Sequence, residues 1–126
     1  MRQAVLVFFG SGLGGTARWL FGSAVGRVLG TAFPFGTIAI NAIGSFLIVI
    51  VVQLALAGRI SADLRLALAT GVLGGFTTYS SFNLETFQLA QQGTWGLAAL
   101  NFGLTSVLCL VAGLGGWWLA RVIAPL

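Results

Sequence analysis

Four long hydrophobic stretches, separated by short polar or turn-forming segments, make up nearly the whole chain. A helix needs roughly 20 predominantly apolar residues to cross a bilayer, and each stretch reaches that length. The pattern predicts an all-α membrane protein with a single four-helix transmembrane domain. The predicted helices cover residues 4–28, 35–57, 63–91 and 95–122.

The third stretch contains the most unusual sequence in the chain. Residues 71–85 include two Thr, two Ser, one Asn and one Glu among apolar neighbours. Gly and Thr disfavour a helix there, because Gly frees the backbone and Thr offers its hydroxyl to nearby carbonyls. We therefore expect the third helix to be broken near its middle, around residues 74–79. Non-helical backbone at membrane depth must be buried in protein or line a polar cavity, so this segment is the first candidate site.

Two other helices carry polar side chains among apolar ones. Asn101, Thr105 and Cys109 recur at every fourth position of the fourth helix and therefore share one face. Asn41 is a lone amide in the second helix, which is the most hydrophobic of the four. Such groups either join helices by hydrogen bonds or line a path for a solute. The spacing does not decide between these roles.

Arg18 lies inside the first hydrophobic stretch, beside Trp19. An Arg within a membrane helix costs about 2.5–3.5 kcal/mol on insertion scales, so its side chain snorkels, pairs or faces a wet cavity. In the last case Arg18 would gather anions near a pore mouth. The same stretch has glycines four residues apart at positions 10 and 14 and at positions 22, 26 and 30, a spacing that favours close helix packing.

The composition excludes several classes of protein. The 126 residues are 58% hydrophobic and 6% charged, with a mean hydropathy of +1.04, whereas soluble domains carry about 25% charged residues. The chain has no His, one Cys and two acidic residues. The chain therefore has too few His, Cys and acidic residues for a zinc site, a disulfide framework or His-based acid–base catalysis. We expect no enzymatic activity.

The net charge of +4 comes from six Arg against two acidic residues. The Arg are scattered singly between hydrophobic runs, which indicates membrane-flanking anchors and no nucleic-acid partner. Four crossings place both termini on one side. One side then holds Arg2, Arg59, Arg65 and Arg121, and the other holds Arg18 and Arg27. By the positive-inside rule this difference gives only a weak preference for one orientation. It is compatible with insertion in both directions.

The polar groups of the predicted core are hydroxyls, amides and the edges of aromatic rings. Tyr79 and Phe82 are three residues apart and share a helix face, where they either border one path or simply pack. Hydroxyl and amide donors, together with the positive edges of Phe rings, suit a small hard anion. Because four helices leave little room for a solute path, we expect an oligomer.

Three motifs follow one another along the chain: residues 14–19 (GGTARW), 36–41 (GTIAIN) and 74–82 (GGFTTYSSF). In these motifs, and in its length and four crossings, the whole chain closely resembles the CrcB (Fluc) family of small fluoride channels. The resemblance implies an antiparallel, dual-topology homodimer in the inner cell membrane. Such a dimer has two fluoride pathways and gives passive, selective export of fluoride.

The resemblance also assigns roles to residues. It implies that the backbone carbonyls of Gly74 and Thr77 in both subunits hold a structural sodium ion at the dimer centre; unwound backbone is a suitable ligand for a hard cation. Arg18 corresponds to a basic residue of the vestibule. The family usually has Phe in place of Tyr79 and a hydroxyl in place of Cys109. The implied fluoride pathway comprises Asn41, Tyr79, Ser81, Phe82, Asn101, Thr105 and Cys109.

Two other functions compete with the channel. A small multidrug-type proton/cation antiporter, also built of four helices, needs a membrane carboxylate, for which Glu85, beyond the expected break, is the candidate. A non-transport membrane scaffold needs only the glycine repeats.

Overall fold

The computed structural model describes residues 1–125, and every regular element in this range is helical. The prediction of an all-α protein is therefore confirmed. Helix α1 spans Arg2–Leu29 and α2 spans Phe35–Leu56. The first half of the third hydrophobic segment, here called α3, runs without interruption from an α-helical start at Ala62–Arg65 through a π-helix at Leu66–Leu73 to a single α turn at Gly74–Phe76.

The second half of that segment is helix α4, Tyr79–Gln91, and the last helix, α5, spans Trp95–Ile123. Only Thr77 and Thr78 separate α3 from α4. Helices α1, α2 and α5 are each long and apolar enough to cross a membrane. The chain is therefore a multi-pass membrane protein, with α3 and α4 as its interrupted third segment.

Local signals in the sequence account for the helix ends. The Ser61 hydroxyl accepts a hydrogen bond from the Leu64 N–H at 3.2 Å and caps the start of α3. Gly30, which ends α1, has a φ of 79°, a conformation that glycine adopts without steric cost. A salt bridge of 2.9 Å between Arg2 and Asp63 places the first residues of α1 beside the start of α3.

Helix α1 packs directly on α3 through small residues. A Cβ atom on Gly10 would lie 2.8 Å from the Ala67 carbonyl oxygen, and one on Gly14 would overlap the Val72 carbonyl oxygen. A Cβ on Gly75 would lie 2.5 Å from the Ser11 carbonyl oxygen. The first pair of glycines thus serves close helix packing, as their spacing predicts. The approach brings the backbone of α1 against the end of α3.

Helix α2 lies between α3 and α5, whereas α4 packs directly on α5, where Phe82 stacks on Phe102. Its buried positions include Ile38, Asn41 and Gly44. On its other side a Cβ on Gly116 of α5 would overlap the Phe46 carbonyl oxygen, so these two helices also meet backbone to backbone. Asn41 is thereby held in the interior beside the gap between α3 and α4.

Candidate functional site

The interruption of the third segment is stabilised by a side chain from α2. Thr77 and Thr78 are both extended, with ψ angles of 157° and 108°. The Thr78 N–H donates to the Asn41 Oδ1 atom at 2.8 Å, and the Asn41 Nδ2 atom donates to the Thr78 carbonyl at 3.0 Å. In a continuous helix the same N–H would bond to the Gly74 carbonyl. Asn41 thus satisfies both backbone groups of Thr78. These hydrogen bonds join α2 to the break, which is one of the two roles that the sequence left open for this amide.

A second set of hydrogen bonds starts α4. The Thr78 hydroxyl accepts the Ser81 N–H at 3.1 Å, which makes Thr78 the N-cap, and donates to the Ser81 hydroxyl at 3.0 Å. The structure therefore places Ser81, a predicted pathway residue, in the cap of α4. It is not among the residues that line the groove described below. Its assignment to the fluoride pathway stays a prediction.

Arg18 points at the end of α3. Its Nη1 atom donates to the Thr77 carbonyl at 3.2 Å, across 59 residues of sequence. The Thr77 hydroxyl donates back to the Leu73 carbonyl at 2.9 Å. The Thr77 methyl group packs where a Cβ on Gly44 would be, so Gly44 makes room for the break. The vestibule role of Arg18 stays a prediction, and the observed contact is a pairing with backbone.

An open groove of about 390 Å³ lies beside the break, between α2, α4 and α5. It gathers five of the seven predicted pathway residues: Asn41, Tyr79, Phe82, Thr105 and Cys109. Its other lining residues are Gly44, Ser45, Ile48, Thr77, Thr78 and Ser106. Sequence reasoning missed Ser45 and Ser106. The signal for Ser45 was its position four residues after Asn41, on the same helix face.

The aromatic pair is adjacent in space as well as in sequence. The ring centroids of Tyr79 and Phe82 are 5.4 Å apart, with the planes inclined by 58°. Phe82 is only 4% exposed and stacks on Phe102 at 6.1 Å, whereas Tyr79 is 75% exposed. Phe82 is thus a fixed wall of the groove. Tyr79 presents most of its ring outside the single chain.

The polar stripe of α5 divides into two parts. Asn101 is 1% exposed; its Nδ2 atom donates to the Thr86 hydroxyl of α4 at 2.8 Å, and its Oδ1 atom accepts from Thr105 at 3.3 Å. Asn101 is therefore engaged in joining α4 to α5 and does not line the groove. Thr105 and Cys109 do line it. The hydrogen-bonding interpretation of the stripe is thus observed for Asn101, and a role of Thr105 and Cys109 as the wall of a conduit stays a prediction.

A second, more polar cavity of about 460 Å³ lies between the end of α1, the start of α2 and α4. Its lining includes Glu85, Thr37 and Gln88. The Thr37 hydroxyl donates to the Glu85 Oε1 atom at 2.7 Å. The Oε2 atom of the same carboxylate is buried and has no hydrogen-bond partner among the described residues. None of these three residues lines the groove.

The fold and the site together define a class of protein: a small multi-pass membrane protein whose interrupted helix borders a groove lined by amide, hydroxyl and aromatic side chains. A model of the CrcB family, described as CrcB-like protein, Camphor Resistance (CrcB), matches residues 5–117. The chain belongs to this family, and the resemblance found from its three motifs is confirmed.

Several curated proteins are similar to this chain over nearly its full length. The Fluoride-specific ion channel FluC of Sorangium cellulosum (strain So ce56) is 44% identical over 119 residues, covering 90% of this chain and 94% of that protein. The proteins of the same name from Anaeromyxobacter sp. (strain K) and Chelativorans sp. (strain BNC1) are 44% and 45% identical over 125 residues, covering 98% of this chain and 99% of each relative.

Proposed function

We propose that this chain is the subunit of a fluoride-selective channel, through which cytoplasmic fluoride leaves the cell passively, down its electrochemical gradient. The observation that carries the proposal is the groove beside the break, in which amide, hydroxyl and aromatic groups converge on one volume. The names of the full-length relatives support fluoride as the ion. Neutral HF enters cells from weakly acidic media and dissociates inside, so the trapped anion needs such an exit.

The chemistry of the groove suits a small anion. None of its described lining residues carries a carboxylate, so an anion meets no like charge there. The Asn41 Nδ2 atom has a second N–H beyond the one used on Thr78, and Tyr79 adds a phenolic O–H. Ring edges of Phe82 and Tyr79 supply positive electrostatic potential. These groups replace part of the hydration shell of fluoride, and a narrow path with hard donors disfavours the larger chloride.

The pathway requires a second copy of the chain, which we place antiparallel to the first in the inner membrane. The groove of one copy is open, and Tyr79 at its edge is largely exposed. A partner copy would cover that side and exclude lipid. The weak asymmetry of the six Arg residues fits insertion in both orientations, which an antiparallel pair needs.

We further propose a structural sodium ion held by the carbonyls of Gly74 and Thr77. The Gly74 carbonyl fits this role, because Thr78, its usual helical donor, bonds to Asn41 instead. The Thr77 carbonyl is also outside a helical bond but already accepts from Arg18. Hard cations take several oxygen ligands, so one chain is insufficient and two copies are needed. When bound, sodium would supply positive charge that offsets the carbonyl dipoles of both copies.

A fluoride electrode tests the main proposal. Purified protein in liposomes loaded with potassium fluoride should release fluoride when valinomycin allows potassium to follow, and liposomes without protein serve as the control. The same vesicles loaded with chloride should release little. Absence of fluoride release, with protein insertion shown by sedimentation of the vesicles, contradicts the proposal.

A second candidate function rests on Glu85. Its carboxylate has one unpartnered oxygen in a cavity separate from the groove, and a membrane carboxylate is what a proton/cation antiporter requires. The full-length similarity to proteins named as ion channels favours the channel. Transport of a cationic dye driven by a proton gradient would instead support the antiporter.

A further inference from the structure

Arg18 continues a row of small residues on α1. Gly10, Gly14 and Arg18 are four residues apart and share one helix face. The two glycines allow the backbones of α1 and α3 to touch. One turn further on, where α3 ends, the row places a guanidinium against the Thr77 carbonyl at 3.2 Å. The glycine contacts thus fix the distance at which Arg18 meets the break.

Arg18 has no acidic partner in the described part of the chain. The two carboxylates of the protein are engaged elsewhere: Asp63 forms a salt bridge with Arg2 at 2.9 Å, and Glu85 accepts from Thr37 at 2.7 Å. A cation inside a membrane helix needs compensation from charges or dipoles. The hydrogen-bond partner that the structure gives it is the Thr77 carbonyl, one of the two oxygens proposed to bind sodium.

We propose that Arg18 is a positioning residue that acts as a fixed cation at the break: its guanidinium holds the Thr77 carbonyl, and its positive charge weakens the binding of sodium to the same oxygen. The inference rests on the proposed function, since the sodium site is part of it. A carbonyl oxygen has two lone pairs and accommodates both cations at once. Two positive charges that share one oxygen repel strongly in a medium of low dielectric constant.

Sodium affinity in detergent distinguishes this role from a purely structural one. Arg18→Gln keeps N–H donors and removes the charge, so the sodium concentration that gives half of the thermal stabilisation should fall by about tenfold. In sodium-free buffer the same variant should be less thermostable than the native protein. Titration is done with sodium chloride replaced by N-methyl-D-glucamine chloride at constant ionic strength, which removes the effect of salt in general.

Arg27→Gln is the matched control. Arg27 lies on the same helix, is exposed, and donates only to the Ser23 carbonyl of its own helix at 3.3 Å. Its loss changes the net charge by the same amount, and the half-saturating sodium concentration should stay as in the native protein. The proposal is overturned if the half-saturating sodium concentration of Arg18→Gln equals or exceeds that of the native protein, because the guanidinium would then not weaken sodium binding.

A measurement on the native protein covers the case in which Arg18→Gln does not fold. With ¹⁵N-labelled arginine, the side-chain N–H signal of Arg18 should shift on sodium titration, while that of Arg27 should not. If the Arg18 signal does not shift up to saturating sodium, the proposal is overturned. Fluoride release from liposomes is measured separately, so release that persists with no sodium response refutes only the role of Arg18, whereas absence of release refutes the channel itself.

Discussion

Asn41 and Thr78 exchange two hydrogen bonds across 37 residues of sequence, one from the backbone to the side-chain oxygen and one from the side-chain nitrogen to the backbone. The Asn41 side chain thereby pairs with both the N–H and the carbonyl of Thr78, as the backbone of a neighbouring strand does in a β-sheet. Unpaired backbone groups at membrane depth cost several kcal/mol each. One side chain of α2 therefore makes the gap between α3 and α4 a stable feature of the fold.

Replacing Asn41 by Leu should destabilise the protein and stop transport. The change leaves the N–H and carbonyl of Thr78 buried without partners, at about 1–3 kcal/mol for each group, so we expect a loss of roughly 2–6 kcal/mol in all. The measurement is the free energy of unfolding in detergent titrated with denaturant, together with fluoride release from liposomes. Asn83→Leu, at an exposed position of α4, is the control and should be nearly neutral.

Replacing Phe82 by Ile should nearly abolish fluoride release while the protein stays assembled. Phe82 packs against Tyr79 and Phe102 and forms a wall of the groove, and Ile removes the ring edge that we propose faces the anion. The cost in stability should be only about 1–2 kcal/mol, because the new side chain is still large and apolar. Size-exclusion chromatography reports assembly, and Phe87→Ile, at an exposed site on α4, is the matched control. Native rates of release in Phe82→Ile would remove this ring from the pathway.

The sequence was sufficient to predict the helices and the location of the break. Hydrophobic length identified the four segments. The expected break at residues 74–79 is narrower in the structure, where Gly74–Phe76 is still helical, Tyr79 begins α4, and only Thr77 and Thr78 are extended. The π-helix at Leu66–Leu73 was not predicted. The signals for the segments and the break are local, since each depends on neighbouring residues alone. Five of the seven predicted pathway residues line one groove. The signal that singled them out was an unusual amide, hydroxyl, thiol or aromatic side chain in an apolar stretch or at a regular helical spacing.

The partners of the polar side chains were not predictable in the same way. Asn101 and Thr105 are four residues apart on α5, yet Asn101 joins helices and Thr105 lines the groove. The difference arises from Thr86 on α4, whose hydroxyl accepts from Asn101. Nothing in the sequence around Thr86 indicates this partner. Arg18 and Thr77 meet across 59 residues. Such pairings depend on the rotation of each helix, which periodicity alone does not determine to within one side chain.

Replacing Gly14 by Ala should be strongly destabilising. Its new methyl group would overlap the Val72 carbonyl oxygen and lie 2.8 Å from the Phe76 nitrogen, so α1 must move away from α3. Overpacking of this kind costs typically about 1–3 kcal/mol or more. Gly12→Ala is the control on the same helix, because a Cβ atom on Gly12 would have no neighbouring atom within 4 Å. Thermal unfolding in detergent measures both, and equal stability of the two variants would contradict the observed packing.

Replacing Glu85 by Gln should leave the rate of fluoride release from liposomes close to that of the native protein. Gln retains an oxygen that accepts from Thr37, and the residue lies outside the groove. Fluoride release should therefore continue in the variant without any need for a proton gradient. An antiporter would behave differently, because its proton-carrying group would be gone. Uptake of a cationic dye driven by a pH step in native vesicles, and lost in Glu85→Gln, would contradict the channel.

Chemical modification of Cys109 should block the groove. It is the sole cysteine of the chain and lines the groove next to Thr105 on the stripe of α5, so a methanethiosulfonate reagent adds bulk at one defined place. We expect fluoride release to fall sharply after modification and to recover when dithiothreitol removes the added group. Cys109→Ser supplies a hydroxyl of similar size, should conduct at least as well, and should be insensitive to the reagent. Full modification by mass spectrometry with unchanged release would place the fluoride pathway elsewhere.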